Sequence, residues 1–403
     1  MAFIPYEASI KNLRMRFERA KMSERCFISE ALGRILSEDI VADHDSPALP
    51  TSAMDGYAIK FEDQSMGRIR ILGDLPAGTY SDEELMGGYC VKTFTGSLMT
   101  PGSDTLIPIE NVEVEGDEIV IKEEVPEGFS VRPVGENYRR GEVLIPKGTK
   151  IDFAEIGVLA SLDIAQVSVY KRPSVAIIAT GSEILDVGEK QTNPSQIRSS
   201  NQFTLEALAA RAGALATRAP LAKDDKESIR RVITDALSDH DILVTTGGVS
   251  VGDYDFVKDI LRDFNAEYIT EGVILKPGQH IKIIKTGGKY IVALPGFPYS
   301  STVTFILYVV PLIKMLMGCK PDLPYVKATL RGTYRKRSKK TEFAACNLRY
   351  EDGRYVVDFE GKKSGSSAIL TNMLGDTGLL FVPQESGDLE AGSTVDVIDL
   401  KAL

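Results

Sequence analysis

Several short segments set glycine beside charged side chains in patterns that could do chemistry. In TTGGVSVGDYDF (245–256) an apolar stretch runs into Gly247 and Gly248, then into Ser250, Asp253 and Asp255. Glycine lets a ligand approach the backbone closely, and the amides that open a helix favour an anion. Carboxylates in the same place tolerate a phosphate if they act on another part of the ligand, or if a divalent cation lies between them. Mg²⁺, which takes one or two carboxylates plus phosphate oxygens, suits that role. The same acids would also simply offset a helix dipole. ATGSEI (179–184) repeats the pattern with Glu183, and AKDDKE (222–227) places Asp224 and Asp225 where a helix N-cap is equally expected. LKPGQHIK (275–282) sets Lys276 on a tight turn suited to an oxyanion. ALPGFPYS (293–300) is rigid from Pro295 to Pro298, and either walls a pocket or only joins strand to helix.

The N-terminal half adds Asp55 in SAMDGYA (52–58), Thr95 in FTGSLMTPGSD (94–104), and Arg139 with Arg140 in YRRGE (138–142). Asp55-Gly56 is also an ordinary turn signal, and the arginines either grip a phosphate or stay solvated. RGTYRKRSKK (331–340) is the strongest basic cluster; it reads first as a solvated strand edge guarded by lysine and, second, as a place to bind phosphate or a partner. His44, His240 and His280 lack the spacing of a zinc helix, and no G-x-S-x-G elbow is present.

These residues need a frame to position them. SVAIIATG, DILVTTGG and KYIVALPG read as buried strands. NQFTLEALAARAGA, DKESIRRVITDALSDH, YDFVKDILRDF and the apolar stretch from Thr302 read as helices. Their alternation predicts a doubly wound α/β domain over residues 173–320, with ligands at the carboxyl ends of its strands. Residues 45–141 are punctuated by Gly and Pro and read as a mostly β module. Residues 321–403 alternate apolar and polar side chains and carry a hairpin signal in EDG, which predicts a small C-terminal β domain. Ser23 to Ser37 and Ile151 to Leu162 read helical, so residues 1–44 plus 142–172 group as a helical linking domain. The expected fold class is multidomain α/β, the central doubly wound domain being flanked by an N-terminal helical/β module and the C-terminal β domain.

The 403 residues suffice for two to four domains. With 47 basic and 57 acidic side chains the net charge is −10, which argues against nucleic acid and membrane as partners. Any anionic ligand must be held by a local site. The apolar run Thr302 to Met317, which contains Pro311 and Lys314, falls short of the roughly 20 residues that span a bilayer. The N-terminus MAFIPYEASIKNLRMRF shows no cleavage pattern. Cys26, Cys90, Cys319 and Cys346 are scattered and read as reduced thiols of a cytoplasmic protein.

Taken in order, SAMDGYA, GDLPAG (73–78), FTGSLMTPGSD, ATGSE, TTGGVSVGDYD, LKPG and LPGFP resemble the molybdopterin molybdenumtransferase family, the bacterial MoeA type related to the gephyrin E domain. The resemblance implies that the α/β domain is of the molybdopterin-binding type. It implies an enzyme that takes adenylylated molybdopterin and molybdate, cleaves the pyrophosphate, releases AMP and leaves molybdenum on the dithiolene. It further implies an elongated homodimer, with the site in a cleft between the α/β domain of one subunit and the β module of the other, and a molybdopterin adenylyltransferase as partner. Carried over by motif, Asp55, Glu183, Asp224 and Asp255 are the acidic catalytic residues, Thr95 and Ser367 (in SGSSAIL) hydroxyl positions, Lys276 a basic one, and Pro295 and Pro298 the pocket turn. The residues' own chemistry agrees: Glu183 and Asp255 are expected to bind Mg²⁺ or organise water, Lys276 with Arg139 or Arg140 to hold anionic oxygens, and Gly247, Gly248 and Ser250 to admit the substrate.

The chain departs from the family pattern at Val143, where Asp is usual, and at Gly272, where a second lysine precedes the KPG turn by four residues. KPGK reads KPGQ with Gln279, PGNP reads PGFP with Phe297, and the C-terminal signature reads DTGL at 376–379. Each lost cation would weaken oxyanion binding by about 1–3 kcal/mol. His280 and Lys282 are the nearby basic groups that would compensate. The competing class is a non-catalytic paralogue that binds molybdopterin nucleotide as a carrier or scaffold. Four retained carboxylates argue against it, since a pure anion binder gains nothing from them.

Overall fold

A computed structural model of the chain describes residues 3–18, 22–181, 183–220, 226–247, 266–363 and 366–403. It divides into two compact units, one of residues 26–32 and 38–167, the other of residues 1–25, 33–37 and 168–403.

In the unit of residues 26–32 and 38–167, a six-stranded sheet runs in the order Thr105–Pro108, Gly56–Ile59, Tyr89–Thr93, Arg68–Leu75, Glu118–Ile121, Val112–Glu115. All pairings are antiparallel except that of Arg68–Leu75 with Tyr89–Thr93. Side chains alternate across the pleat. Tyr57 and Ile59 join Ile69, Cys90, Ile107 and Ile119 on one face, while Ala58 packs with Met99 and Leu106 on the other. Gly56 is required by a close approach: a Cβ there would lie 2.3 Å from the Ile107 carbonyl oxygen. The DG pair therefore opens a central strand and is not a hairpin turn. The helix Phe153–Ser161 starts from a capping box in which Asp152 and Glu155 satisfy each other's backbone amides.

The expectation of a helix over Ser23–Ser37 is not met. Ser23–Phe27 is a strand and Ile28–Glu30 a single tight turn. Phe27 and Leu32 are more than half exposed, so the apolar spacing there does not define a buried helical face. Gly33, at φ +75°, takes a left-handed conformation that stops any continuation.

The other unit holds the doubly wound sheet. Its order is Leu215–Arg218, Ser174–Ala179, Ile242–Thr246, Lys289–Leu294, Lys282–Thr286, Glu267–Glu271. The first four strands are parallel and the last two add an antiparallel edge. Val175, Ile177, Val244 and Val292 face one layer, with Leu205 and Ala209 of the helix Ser200–Arg211. Ala176, Ile178, Leu243 and Ile291 face the other, with Ile233, Ala236 and Leu237 of the helix Lys226–Asp239. The expected helix YDFVKDILRDF lies outside the described residues.

The helix expected from Thr302 begins earlier, at Pro298, and runs 19 residues to Leu316. It is long and apolar enough to cross a membrane, yet it is buried almost throughout within the unit, as expected of a core helix that is hydrophobic all round. It widens to a π-turn at Phe305–Val309, just before Pro311, which has no amide to bond the carbonyl four residues back.

The C-terminal strands close on themselves. Thr341–Glu351, Arg354–Asp358, Tyr325–Leu330, Thr394–Asp399 and Thr377–Val382 form a ring, because Thr341–Glu351 pairs with both Arg354–Asp358 and Thr377–Val382. Leu330, Cys346, Leu348, Val357, Leu380 and Val397 fill this small barrel. The short strand Leu275–Lys276 adds to it in parallel, in the register Leu275–Thr341 and Lys276–Glu342.

Candidate functional site

Three adjacent parallel strands of the doubly wound sheet end together. Ala179 is level with Thr246, and Thr246 with Leu294. The Thr180 amide donates to the Thr246 carbonyl (3.3 Å) and the Gly247 amide to that of Leu294 (3.3 Å). Beyond them opens a groove of about 440 Å³ lined by Thr180, Glu183, Arg198, Asn201, Gly247, Pro295 and Pro298. This is where a doubly wound sheet binds ligands. The backbone is shaped for close approach. Gly247 is at φ +91°, and a Cβ on it would lie 3.0 Å from the Thr180 carbonyl. Gly181 carries the Glu183 carboxylate folded back over it, so close that a Cβ would come within 2.7 Å of Glu183 Oε2. The Asn201 amide fixes the PGFP turn by donating to the Gly296 carbonyl at 2.8 Å.

A second cavity of about 550 Å³ adjoins the first and shares His280, Pro295 and Phe297 with it. It lies between the KPG turn and the barrel. Among the described residues, Lys276, Arg335, Arg337, Lys340, Lys362 and Lys363 line it, against a single carboxylate, Glu342. Strand register explains the pairing at its centre: the Lys276–Glu342 partnership brings Nζ 3.4 Å from Oε1. Glu342 is 2% exposed. It also accepts from Ser338 Oγ (2.7 Å) and Tyr334 Oη (2.8 Å). Burial by itself would raise its carboxyl, but the Ser338 and Tyr334 hydrogen bonds and the Lys276 ammonium bring it below the ordinary glutamate range. Burial, then the hydrogen bond to Glu342 and its charge, push the Tyr334 phenol far up, so it stays a neutral donor. Lys362 holds the wall together by donating to the carbonyls of Asn372 (2.8 Å) and Leu374 (3.0 Å) and to Thr377 Oγ1 (2.8 Å). Ser367 lines the same cavity, and its carbonyl accepts from the Ser300 amide. Gly278 is forced: it sits at φ +96°, and a Cβ would lie 2.1 Å from Thr304 Cγ2.

In the unit of residues 26–32 and 38–167, Asp55 and Thr95 are brought together. Asp55 Oδ1 accepts from both the Thr95 amide and its hydroxyl, each at 2.8 Å. These two bonds, the amide first, hold the exposed Asp55 carboxyl below the usual aspartate range. Arg139 and Arg140 are exposed on a turn pinned by Glu142 and Asp45, which accept from their amides. Asp224, Gly248, Ser250 and Asp255 lie outside the described residues.

Among the described residues no three His, Cys, Asp or Glu side chains cluster as a ready-made metal cage. Mg²⁺ bound through substrate phosphates does not need one, since it takes one or two carboxylates and keeps several waters. The exposed Glu183 at the strand-end groove fits that mode.

At the second cavity the second-ranked reading of the basic cluster, phosphate binding, fits better than the first. RGTYRKRSKK is not merely a solvated strand edge. Tyr334, Arg335, Arg337 and Lys340 all face the cavity, because the segment crosses from one barrel strand to the next beside the KPG turn. The available signal was its rarity, a run of basic residues in a chain of net charge −10 that leads directly into Glu342.

Three family descriptions match the chain in succession: "MoeA N-terminal region (domain I and II)" over residues 4–162, "Probable molybdopterin binding domain" over 176–315, and "MoeA C-terminal region (domain IV)" over 327–400. The molybdopterin molybdenumtransferase of Staphylococcus epidermidis is 32% identical over 379 residues, spanning 92% of this chain and 90% of that one. That of Staphylococcus aureus strain Mu50 is 33% identical over 380 residues, with the same coverage. The crystal structure of the molybdopterin biosynthesis MoeA protein from Pyrococcus horikoshii OT3 superposes with a TM-score of 0.83 at 28% identity, covering 98% of this chain and 99% of that one. A molybdenum cofactor biosynthesis protein from Pyrococcus furiosus, at 19% identity and a TM-score of 0.61, shares the fold.

Proposed function

The chain belongs to the molybdopterin molybdenumtransferase family, enzymes of molybdenum cofactor biosynthesis, and we propose that it takes adenylylated molybdopterin and molybdate, opens the pyrophosphate and releases AMP as molybdenum is left on the dithiolene. The observation that carries this reading is the cationic cavity: among the described residues, six basic side chains around one carboxylate, in a protein that is acidic overall. Such a pocket suits a dianionic oxyanion, with Lys276 and Lys340 as charge-assisted donors and Tyr334 as a neutral one. The strand-end groove next to it suits the nucleotide portion, because glycine-marked strand ends admit phosphate close to the backbone. Mg²⁺ would be held by Glu183, together with Asp255 beyond the described residues, and when bound would neutralise phosphate oxygens. Asp55, kept ionised by Thr95, would reach the groove from the partner subunit of a homodimer. A molybdopterin adenylyltransferase as upstream partner and a cytoplasmic setting complete the proposal.

The test is a single turnover with adenylylated molybdopterin and Mg²⁺, following AMP with and without molybdate. AMP release that depends on molybdate, and that is lost in Lys276→Ala, supports the reading. Tight substrate binding without release would instead favour a carrier.

A further inference from the structure

At the mouth shared by the two cavities, three polar side chains form a chain with only one consistent set of donors. Lys340 Nζ donates to Gln279 Oε1, and Gln279 Nε2 lies 2.8 Å from His280 Nε2. An ammonium has donors and no acceptor. Gln279 must therefore turn its carbonyl oxygen to Lys340 and its NH₂ to His280. The amide NH₂ also only donates, so His280 Nε2 must offer its lone pair. The imidazole is then neutral, with its proton on Nδ1. Phe3 braces the ring edge-on, with centroids 5.6 Å apart. Phe3 in turn lies against Gly272, where a Cβ would come within 2.8 Å of its ring. Positions 272 and 279 are the two at which the family pattern has lysine. Here the first makes room for Phe3 and the second bridges Lys340 to His280.

We infer that Gln279 is a positioning residue that fixes His280 as a neutral Nδ1–H donor and couples protonation of that ring to the release of Lys340. The relevance to oxyanion binding rests on the reading of the cationic cavity given above. A second proton on His280 must go to Nε2, where it meets the Gln279 NH₂. The amide then has to turn over, and its NH₂ faces the ammonium, which breaks the Lys340 contact. Acid thus adds one positive charge, the imidazolium, and at the same time frees the Lys340 ammonium from Gln279. Among the described residues, the charged groups around the ring are Lys282 from the strand that follows it, Lys340 from the barrel side, Lys276 and Glu342 with the other bases of the larger cavity, and Glu183 and Arg198 in the groove. Of the described N-terminal residues, the apolar Phe3 packs on the ring. Burial and the two nearby lysines, Lys340 and Lys282, all oppose a charge on the ring, in agreement with the donor order.

The test uses the full chain labelled with ¹⁵N-histidine. It has three histidines, so His280→Asn assigns the signal. Long-range ¹H–¹⁵N spectra near neutral pH should show the Nδ1–H tautomer. Gln279→Leu, which removes the donor to Nε2, should move the titration midpoint of His280 upward. Gln279→Glu, which offers only acceptors, should move it further. Molybdate, used as the probe, should bind about tenfold more tightly at about pH 6 than at about pH 8, the effect of one added charge-assisted bond. In Gln279→Leu the tightening should begin at higher pH. An Nε2–H tautomer in the wild type, or an unmoved midpoint in both variants, overturns the inference. A shifted midpoint with no molybdate binding at any pH would support the positioning role and refute the oxyanion reading of the cavity.

Discussion

Replacing Glu342 by Gln removes the one carboxylate that lines the cationic cavity among the described residues, while keeping its shape. Coulomb's law for a 3.4 Å pair at an effective dielectric of about 20 gives roughly 5 kcal/mol between Glu342 and Lys276. That is an upper bound, because the Lys276 side chain is 41% exposed and water screens it. With the loss of charge-assisted bonds from Ser338 and Tyr334, the net loss of stability should be about 2 kcal/mol. The gap has a definite pH dependence. The folded Glu342 carboxyl lies below its ordinary value of 4.5, so its stabilisation is fully present above that pH and is lost as pH falls through the lower folded value. Thermal unfolding should therefore show Glu342→Gln several degrees below wild type at neutral pH, with the two converging in acid. Oxyanion affinity should move the opposite way. Removing a negative charge from the cavity should tighten molybdate binding by about 1–2 kcal/mol, or five- to thirtyfold by calorimetry. If affinity falls while the protein stays folded, the charge argument fails: Glu342 is then needed to aim Lys276, or it contacts the ligand itself.

The other expectations follow from named contacts. Gly278→Ala places a methyl 2.1 Å from Thr304 Cγ2 at φ +96°, and should cost about 3 kcal/mol or more in urea unfolding. Gly272→Lys, which restores the family residue, should not restore a cation to the cavity. The backbone there is at φ +114° and Phe3 fills the space, so unfolding should occur at lower denaturant with no gain in molybdate affinity. Thr95→Val removes one of the two bonds that lower the Asp55 carboxyl, so the acid limb of the AMP-release profile should move to higher pH. Asp55→Asn should slow AMP release by at least about a hundredfold with no change in the unfolding midpoint.

The α/β domain was legible because its strands are continuous apolar runs that end in glycine, and because helices of the right period lie between them. The barrel was legible as β through alternation, but its closure was not. The pairing of Thr341–Glu351 with two different strands depends on contacts far apart in the chain. The Ser23–Ser37 error has the same origin, since a short apolar spacing near 3.6 says nothing about what will cover it. Asp55 and Thr95 were each visible as motif residues, yet their direct bond joins positions 40 apart. The cationic cavity was half visible. Lys276 stood out on its turn, whereas Glu342 and the RGTYRKRSKK segment gained meaning only through the parallel register that sets Leu275 against Thr341.

That register also bears on how an acidic protein would hold the anion proposed for it. Long-range attraction is unavailable at a net charge of −10, and salt screens interactions beyond about 8–10 Å. Capture must rest on charges packed within contact distance and partly removed from water, where each charge-assisted bond is worth most. A loop of lysines would be too mobile to do this. In this chain Lys276 is fixed by a strand pairing and Lys362 by three oxygens of its own wall. Glu342 moderates the repulsion that such packing creates. Mutating surface lysines outside the cavity should therefore leave molybdate affinity almost unchanged and its salt dependence shallow. A steep salt dependence of binding would mean that the whole surface, not the cavity, gathers the ligand.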